Sequence, residues 1–212
     1  MKRVLILGAN GQIAQWVVSM LAQNIDIQQT LFVRDPSKIN YEIPSNAAVV
    51  RGDVLDASLL NQVMKGHDIV YANLSGNVDL QAKQIIQSMK YTGIFHLIFI
   101  NSLGIYKEVP GKFGEWNEKE IGEYLGPYRR AADLIEDSSL DYTILRAAWL
   151  TDKDEIDYEW TGRDEVFKGT IVSRKSVAAL VSNLIESSSP ELLRANIGVN
   201  KPNSDGDKPI ID

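Results

Sequence analysis

KRVLILGANGQIAQWVVSML, residues 2–21, is the stretch that decides the fold of this chain. Its apolar residues 4–7 predict a buried strand, and the apolar residues from position 16 onward recur with helical spacing. Between them, Gly8 permits a tight turn, Gly11 lets the backbone come close to a ligand, and the small Ala14 lets the helix pack on the strand. A helix that begins here presents unpaired N–H groups and the positive end of its dipole. The stretch therefore predicts a phosphate-binding turn.

Strands and helices alternate after this turn, up to residue 102. Apolar runs predict strands at residues 28–33, 47–50, 68–72 and 96–100. Helical patterns follow Asp56, a good N-cap residue, and Val78. Continuous apolar strands separated by helices predict a doubly wound α/β fold, with a parallel sheet covered by helices on both faces.

The alternation is less regular from residue 103 onward. Residues 104–122 contain a proline and several glycines and predict a loop over the sheet edge. Further patterns predict a helix at residues 121–136, a strand at 142–145, a last strong helix from Ser176 and a final strand at 195–199. The acidic, irregular residues 151–175 predict a lid or a small C-terminal region on the substrate side. Because no repeat or linker interrupts the 212 residues, a single domain over residues 1–212 is expected.

Composition excludes several classes of function. A net charge of −6 argues against a nucleic-acid partner, which needs a basic surface. No apolar run approaches the roughly 18–20 residues of a membrane span, and the apolar start is interrupted too early for a signal peptide. The chain has no cysteine, which excludes disulfides and thiol chemistry and fits a cytoplasmic protein. The acidic residues of 152–159 are interpreted as solvated charges, so no metal ligand is predicted.

The glycine turn is joined by other motifs that point to a family. These are VRD at residues 33–35, GDV at 52–54, INS at 100–102, LDYTILR at 140–146 and SRKSVA at 173–178. Together with the spacing of Gly8, Gly11 and Ala14, they resemble the atypical and extended branches of the short-chain dehydrogenase/reductase superfamily, especially NmrA-like NAD(P)-binding proteins. The resemblance implies a Rossmann-type fold with a dinucleotide bound where the strand order reverses.

Carried over residue by residue, the resemblance also implies a path for the cofactor. The pyrophosphate would be held by Gly8, Asn10, Gly11, Gln12 and Ile13. The adenine would be flanked by Asp53 and Val54, and the adenine-side ribose and pyrophosphate by Asn73, Leu74 and Ser75. The nicotinamide would lie near Ser102, with Ala147 and Ala148 on its far side.

The residue that ends the second strand decides between NADP and NAD. A carboxylate there accepts both ribose hydroxyls and repels a 2′-phosphate, whereas an arginine attracts that phosphate. The predicted strand ends in Arg34, with Lys38 one turn further on, so the sequence favours NADP(H) over NAD(H). A shift of one residue would place Asp35 at the deciding position instead, and a solvated surface arginine is the alternative interpretation of Arg34.

The catalytic residues that the resemblance implies are incomplete. Complete short-chain dehydrogenases use a serine at the end of the fifth strand and a tyrosine whose pKa is lowered by a lysine four residues later. Ser102 matches the serine. Aligning the helix that precedes the sixth strand puts Leu125 in the tyrosine position and Arg129 in the lysine position. The nearby Tyr128 is followed four residues later by Ala132.

Four residues remain as catalytic candidates, namely Ser102, Tyr106, Tyr128 and Arg129. Tyr106 is a second phenol near the expected nicotinamide, although a packing aromatic is the more common role. Arg129 keeps a positive charge but cannot share a proton as lysine does. Hydride transfer does not need the dyad if the acceptor is a quinone or another readily reduced molecule held over the nicotinamide.

The sequence therefore favours a cytoplasmic NADP(H)-dependent oxidoreductase that acts on a small molecule, and three tryptophans (Trp116, Trp149 and Trp160) border the expected substrate side. The alternative is a regulatory protein that senses NADP(H) and contacts a partner without turnover, which the missing dyad favours. A third interpretation is an epimerase- or lyase-like use of a retained cofactor, but the chain is short for the sugar-nucleotide subdomain that this would need. The oligomeric state stays open.

Overall fold

The computed structural model describes residues 1–187 and 189–211 of the chain. Ten strands are found in this part: β1 (Lys2–Leu7), β2 (Ile27–Val33), β3 (Ala47–Arg51), β4 (Ile69–Ala72), β5 (His96–Ser102), β6 (Asp141–Ala147), β7 (Trp149–Thr151), β8 (Glu159–Thr161), β9 (Ile171–Ser173) and β10 (Ala195–Asn200). Eight of them form one sheet in the order β3-β2-β1-β4-β5-β6-β10-β8, while β7 and β9 form a separate parallel pair. All neighbours in the large sheet are parallel except β8, which runs antiparallel to β10.

The helices cover both faces of the large sheet. They are α1 (Gln12–Leu21), α2 (Ala57–Met64), α3 (Val78–Thr92), α4 (Gly111–Ile121), α5 (Leu125–Glu136) and α6 (Arg174–Glu186), with short 3-10 turns at Pro36–Lys38, Gly122–Tyr124 and Pro190–Leu192. Helices α1 and α6 pack together on one face, and α2, α3 and α5 form a row on the other. The doubly wound, mostly parallel sheet confirms the predicted fold class.

The first strand shows why helices are needed on both faces. Val4 and Ile6 lie in the core layer that contains the apolar side chains of α1 and α6, whereas Leu5 and Leu7 lie in the layer of α2, α3 and α5. All four side chains are fully buried. Since successive side chains of a strand point to opposite faces, an uninterrupted apolar strand requires two apolar layers.

Local signals place the ends of several helices. The Asp56 carboxylate accepts a hydrogen bond from the backbone N–H of Leu59 at 3.0 Å and so caps α2, as its position in the sequence suggests. Helix α6 begins at Arg174, two residues earlier than predicted, because the Ser173 hydroxyl accepts from the N–H of Ser176.

The predicted loop at residues 104–122 is wrong over most of its length, because α4 occupies residues 111–121. The glycines lower the intrinsic helix propensity there, but Phe113 is buried and Trp116 packs against the core. A Cβ on Gly114 would lie 2.1 Å from the carbonyl oxygen of Val109. This glycine therefore allows close packing, and tertiary contacts outweigh its propensity.

Residues 151–175 contribute one strand to each sheet. Strand β8 extends the large sheet beside β10, and β9 pairs with β7. The role of this segment as a lid stays a prediction. None of the helices in the described residues has both the length and the apolar character that crossing a membrane requires.

Candidate functional site

The glycine turn lies at the point where the strand order of the sheet reverses, between β1 and β4. Gly8 has a left-handed backbone, with φ of +80°, and a Cβ added there would lie 2.2 Å from the carbonyl oxygen of Asn73. A Cβ on Gly11 would lie 2.1 Å from Asn73 Nδ2. Asn73 is itself held by its backbone N–H, which donates to the Leu7 carbonyl at 2.9 Å. Both glycines are therefore required by packing against the residue that follows β4.

The start of α1 carries unused hydrogen-bond donors. Gly11 caps the helix without a side chain, and the first turn holds no acidic residue. The backbone N–H groups of Gln12 and Ile13 have no hydrogen-bond partner within residues 1–187 and 189–211. Donors of this kind, together with the helix dipole, bind anions. Gln15 Nε2 donates to the Asn10 carbonyl at 3.2 Å and steadies the turn.

A first cavity of about 380 Å³ opens at the carboxyl ends of β1 to β4. Eight predicted cofactor residues line it, namely Gly8, Asn10, Arg34, Asp53, Val54, Asn73, Leu74 and Ser75. It is also lined by residues that the sequence reasoning did not assign to the site, which are Phe32, Val33, Gly52 and Gln81. The first three lie at strand ends, which is the signal that could have identified them, whereas Gln81 comes from α3 and carried no signal.

The end of β2 shows which residue occupies the deciding position at the cationic edge of this cavity. Strand β2 ends at Val33, so Arg34 is the first residue beyond it. The Asp35 carboxylate accepts from both the backbone N–H and the hydroxyl of Ser37, at 3.1 and 2.7 Å, and these hydrogen bonds lower the pKa of Asp35. Arg34 is exposed and has no hydrogen bond or ion pair in the described part of the chain. The arginine is thus available to a ligand, while the neighbouring carboxylate, which also lines the cavity, is engaged through its Oδ1.

A second cavity of about 740 Å³ adjoins the first and shares Asn73 and Leu74 with it. Five further predicted residues line it, namely Ile13, Ser102, Tyr128, Ala147 and Ala148. Most of the other side chains are apolar and come from β5, α4, α5 and β7, including Ile100, Ile121, Leu125, Trp149 and Leu150. Gly11 and Gln12 line neither cavity and form the start of α1.

Two of the catalytic candidates face this second cavity. The Ser102 hydroxyl donates to the Leu103 carbonyl at 3.1 Å. Asn101 ties the end of β5 to α5, because its Nδ2 donates to the Tyr128 carbonyl at 3.1 Å and its Oδ1 accepts from the Ser102 N–H. Burial raises the pKa of Tyr128 above its usual value, so its phenol stays protonated at neutral pH.

The other two catalytic candidates, Tyr106 and Arg129, are not brought to this cavity, and they line a separate surface pocket. The chain turns away after Ser102 through Gly104, whose φ is +86°. The Tyr106 hydroxyl accepts from Asn196 Nδ2 at 2.9 Å, and burial raises the pKa of Tyr106 to about 12. Arg129 pairs with a carboxylate on its own helix, and its guanidinium lies 4.6 Å from the centroid of the Tyr106 ring.

A buried ion pair that was not expected lies beside Tyr106. Arg146 on β6 is fully buried and donates to Glu108 Oε1 at 2.5 Å and to Asn196 Oδ1 at 2.8 Å. Glu108 also accepts from the backbone N–H groups of Gly104 and Tyr106. The pair therefore fastens the turn after β5 to the strand β6.

Comparison with known proteins identifies related sequences and structures. A family model described as NAD(P)H-binding matches residues 8–188. A Rossmann-fold NAD(P)-binding family protein from Shigella flexneri is 52% identical, with a TM-score of 0.87 over 100% of both chains. A short-chain dehydrogenase/reductase from Veillonella parvula, solved in complex with NADP, is 27% identical, with a TM-score of 0.88 over 98% of both chains.

Among curated proteins, an uncharacterized sugar epimerase, YhfK, from Bacillus subtilis is 27% identical. The match covers 81% of this chain and 87% of that protein. The family match begins at the glycine turn and extends past the end of α6, so it includes the lining residues of the first cavity and those of the second except Ile211.

Proposed function

The chain belongs to the NAD(P)H-binding family of atypical, NmrA-like short-chain dehydrogenases/reductases, and on that premise we propose that it is an NADP(H)-dependent oxidoreductase. Its substrate would be a small, readily reduced acceptor such as a quinone. The observation that carries this proposal is that the two cavities are adjacent: the cavity suited to a dinucleotide shares Asn73 and Leu74 with a larger, mainly apolar cavity.

The first cavity and the adjoining start of α1 together have the features that a dinucleotide requires. Gly8 and Gly11 leave the turn without side chains, so backbone can approach a pyrophosphate. The unpaired N–H groups of Gln12 and Ile13 are donors for its oxygens. When bound, NADPH supplies a hydride for reduction of a second molecule.

The preference for NADP(H) over NAD(H) rests on Arg34. Its guanidinium is unengaged in the described residues and lines the first cavity together with Lys38. One carboxylate oxygen of Asp35, which also lines this cavity, is held by Ser37. An arginine in this position attracts the 2′-phosphate that distinguishes NADP from NAD. The NADP complex of the Veillonella parvula relative supports the same assignment.

The second cavity would hold the acceptor and exclude water. Its walls are mainly apolar, which keeps a reduced cofactor away from solvent protons. Ser102 and the protonated phenol of Tyr128 are the hydrogen-bond donors that could meet an acceptor oxygen. A quinone becomes a hydroquinone by taking up one hydride and one proton, and the Tyr128 phenol would supply that proton and regain one from solvent after the hydroquinone leaves.

A second candidate function is a regulatory protein that binds NADP(H) without turnover. It is favoured by Ala132, which stands where a complete enzyme would have lysine four residues after Tyr128, and by the separation of Arg129 from the cavity. Such a protein needs the first cavity but has no use for the second. The second cavity therefore favours the enzyme.

Calorimetric titration with NADPH and NADH, followed by an acceptor assay, tests the proposal. We expect NADPH to bind more tightly than NADH, and several quinones to accelerate the loss of NADPH absorbance. The control is the same assay without protein. If NADPH binds but no acceptor oxidises it above that background, the regulatory function is supported instead. Failure to bind either nucleotide would refute both functions.

A further inference from the structure

The second cavity has a single positive charge among its described lining residues, at Arg174. Its other described lining residues are apolar or neutral, except for Asp152, which lies at the same rim. The Arg174 side chain is 19% exposed, so the charge is largely withdrawn from water. A cation in such surroundings interacts more strongly with an anionic ligand than a surface cation does.

The stability of α6 does not explain a cation at this position. Arg174 is the first residue of α6, next to Lys175, and the first turn contains no acidic residue. The positive end of the helix dipole lies there, so cations destabilise the helix at this end. Each of these two positive charges is partly offset by an aspartate: Arg174 donates to Asp152 at 2.8 Å, and Lys175 pairs with Asp154. Local rules of this kind are broken most often at functional sites.

The guanidinium of Arg174 has hydrogen-bonding capacity left over. Its Nη1 bonds Asp152, whose side chain is 81% exposed. Its Nε and Nη2 have no partner within the described residues. An ion pair with an exposed carboxylate is weak in water. A ligand could therefore share or displace Asp152, and the planar fork of arginine matches a carboxylate with two parallel hydrogen bonds.

We propose that the acceptor bound in the second cavity carries a carboxylate, and that Arg174 binds this group while the apolar walls hold the ring system to be reduced. The inference rests on the proposed oxidoreductase function. A carboxylate fits better than a phosphate, because one arginine beside Asp152 provides too little positive charge for a dianion. Arg174 thus determines specificity and takes no part in the hydride or proton transfer.

A matched pair of acceptors tests this inference. One is a naphthoquinone with a propionate side chain, and the other is its propionamide, in which the spacer keeps the ring's electron affinity nearly unchanged. We expect kcat/KM with NADPH to be at least about tenfold higher for the propionate, as a charge-assisted hydrogen bond pair suggests. Arg174→Gln should reduce this ratio to near one.

Lys175→Gln is the matched control, because it removes the same charge from the same helical turn at a residue that does not line the cavity. The ratio between the two acceptors should be unchanged in this variant. Asp152→Asn should raise the affinity for the propionate, since it removes the competing carboxylate. A wild-type ratio near one, or a ratio that survives Arg174→Gln, would overturn the inference.

A binding measurement separates this inference from the proposed function. The ring of Trp149 lines the second cavity, so quenching of tryptophan fluorescence in the presence of NADP reports the binding of either quinone. If the propionate binds more tightly through Arg174 but neither quinone oxidises NADPH, the oxidoreductase proposal fails and the carboxylate site stands. If both are reduced without discrimination, the function stands and the carboxylate site fails. If neither quinone binds to the NADP complex, the carboxylate-binding site is refuted.

Discussion

The two cavities differ in what builds them. The first is formed by four consecutive β-strands, β1 to β4, and its shape depends on glycines and on the backbone at strand ends. The second combines β5, β6 and β7 with side chains from α4, α5 and α6, elements that are spread over residues 96–186. A side chain added at a glycine therefore disturbs the first cavity, whereas the second is disturbed when one of its packed side chains is lost. Mutations in the amino-terminal half, which forms the first cavity, should therefore act differently from mutations in the carboxyl-terminal half, which forms most of the second.

The largest expected effect is in the carboxyl-terminal half, at the ion pair between Glu108 and Arg146. Glu108→Ala leaves a fully buried guanidinium without its carboxylate, which should lower the free energy of unfolding by about 3–5 kcal/mol. Urea denaturation measures this loss. The control is Asp207→Ala, which breaks an exposed pair with Lys112 and should cost less than about 1 kcal/mol. Similar losses in the two variants would contradict the assigned role of the buried pair.

A smaller effect is expected in the amino-terminal half, at Gly8. Gly8→Ala forces a left-handed alanine and places its Cβ against the Asn73 backbone, so we expect a loss of about 2–4 kcal/mol in the free energy of unfolding. Gly76→Ala is the matched control, because Gly76 has a φ of +84° but nothing within 4 Å of an added Cβ. It should lose about 1 kcal/mol. Equal losses would mean that the contact with Asn73 is unimportant.

Substitution of Gly11 gives a second test of the contact with Asn73. Its added Cβ would lie 2.1 Å from the side-chain Nδ2 of Asn73, whereas the nearest backbone atom, the Gly8 carbonyl oxygen, would be 3.2 Å away. Asn73→Ala should therefore restore much of the stability that Gly11→Ala removes, but little of the stability that Gly8→Ala removes. Thermal denaturation of the single and double variants measures this difference without depending on cofactor binding.

The smallest expected effect concerns affinity alone. Arg34→Ala should weaken NADPH binding by about 1–3 kcal/mol, the scale of a hydrogen bond to a charged group, and barely change NADH binding. The matched control is Arg51→Ala, since Arg51 is a nearby cation that does not line the first cavity. Calorimetry with both nucleotides provides the measurement. Equal losses for NADPH and NADH would show that Arg34 does not bind the 2′-phosphate.

The same difference between the halves explains how much the sequence could predict. Gly8, Arg34 and Asn73 each lie at the end of a strand, so strand prediction alone places them at one edge of a parallel sheet. The engagement of Asp35 could not be predicted, because it depends on whether Ser37 turns back toward it.

The second cavity was predicted less well, because its residues meet only through packing of distant elements. Tyr106 is close to Ser102 in the sequence, yet the turn at Gly104 carries it to another pocket. The sequence does not predict helix α4, because Gly114 lowers the helix propensity of this segment; the close packing of Gly114 on Val109 supports the helix only in the folded protein. Arg174 was recognised as part of a motif, but its place in the cavity depends on how α6 packs.

The short antiparallel strand β8 also covers part of the edge of the large sheet. It pairs with residues 198–200 of β10, a strand with the sequence ANIGVN and no charged side chain. An open strand of that kind can recruit the backbone of another molecule into intermolecular β-structure. Along residues 198–200 the sheet ends instead in the three residues of β8, which include the charged Glu159. Variants that detach residues 159–161 would therefore be expected to aggregate before they lose the nucleotide site.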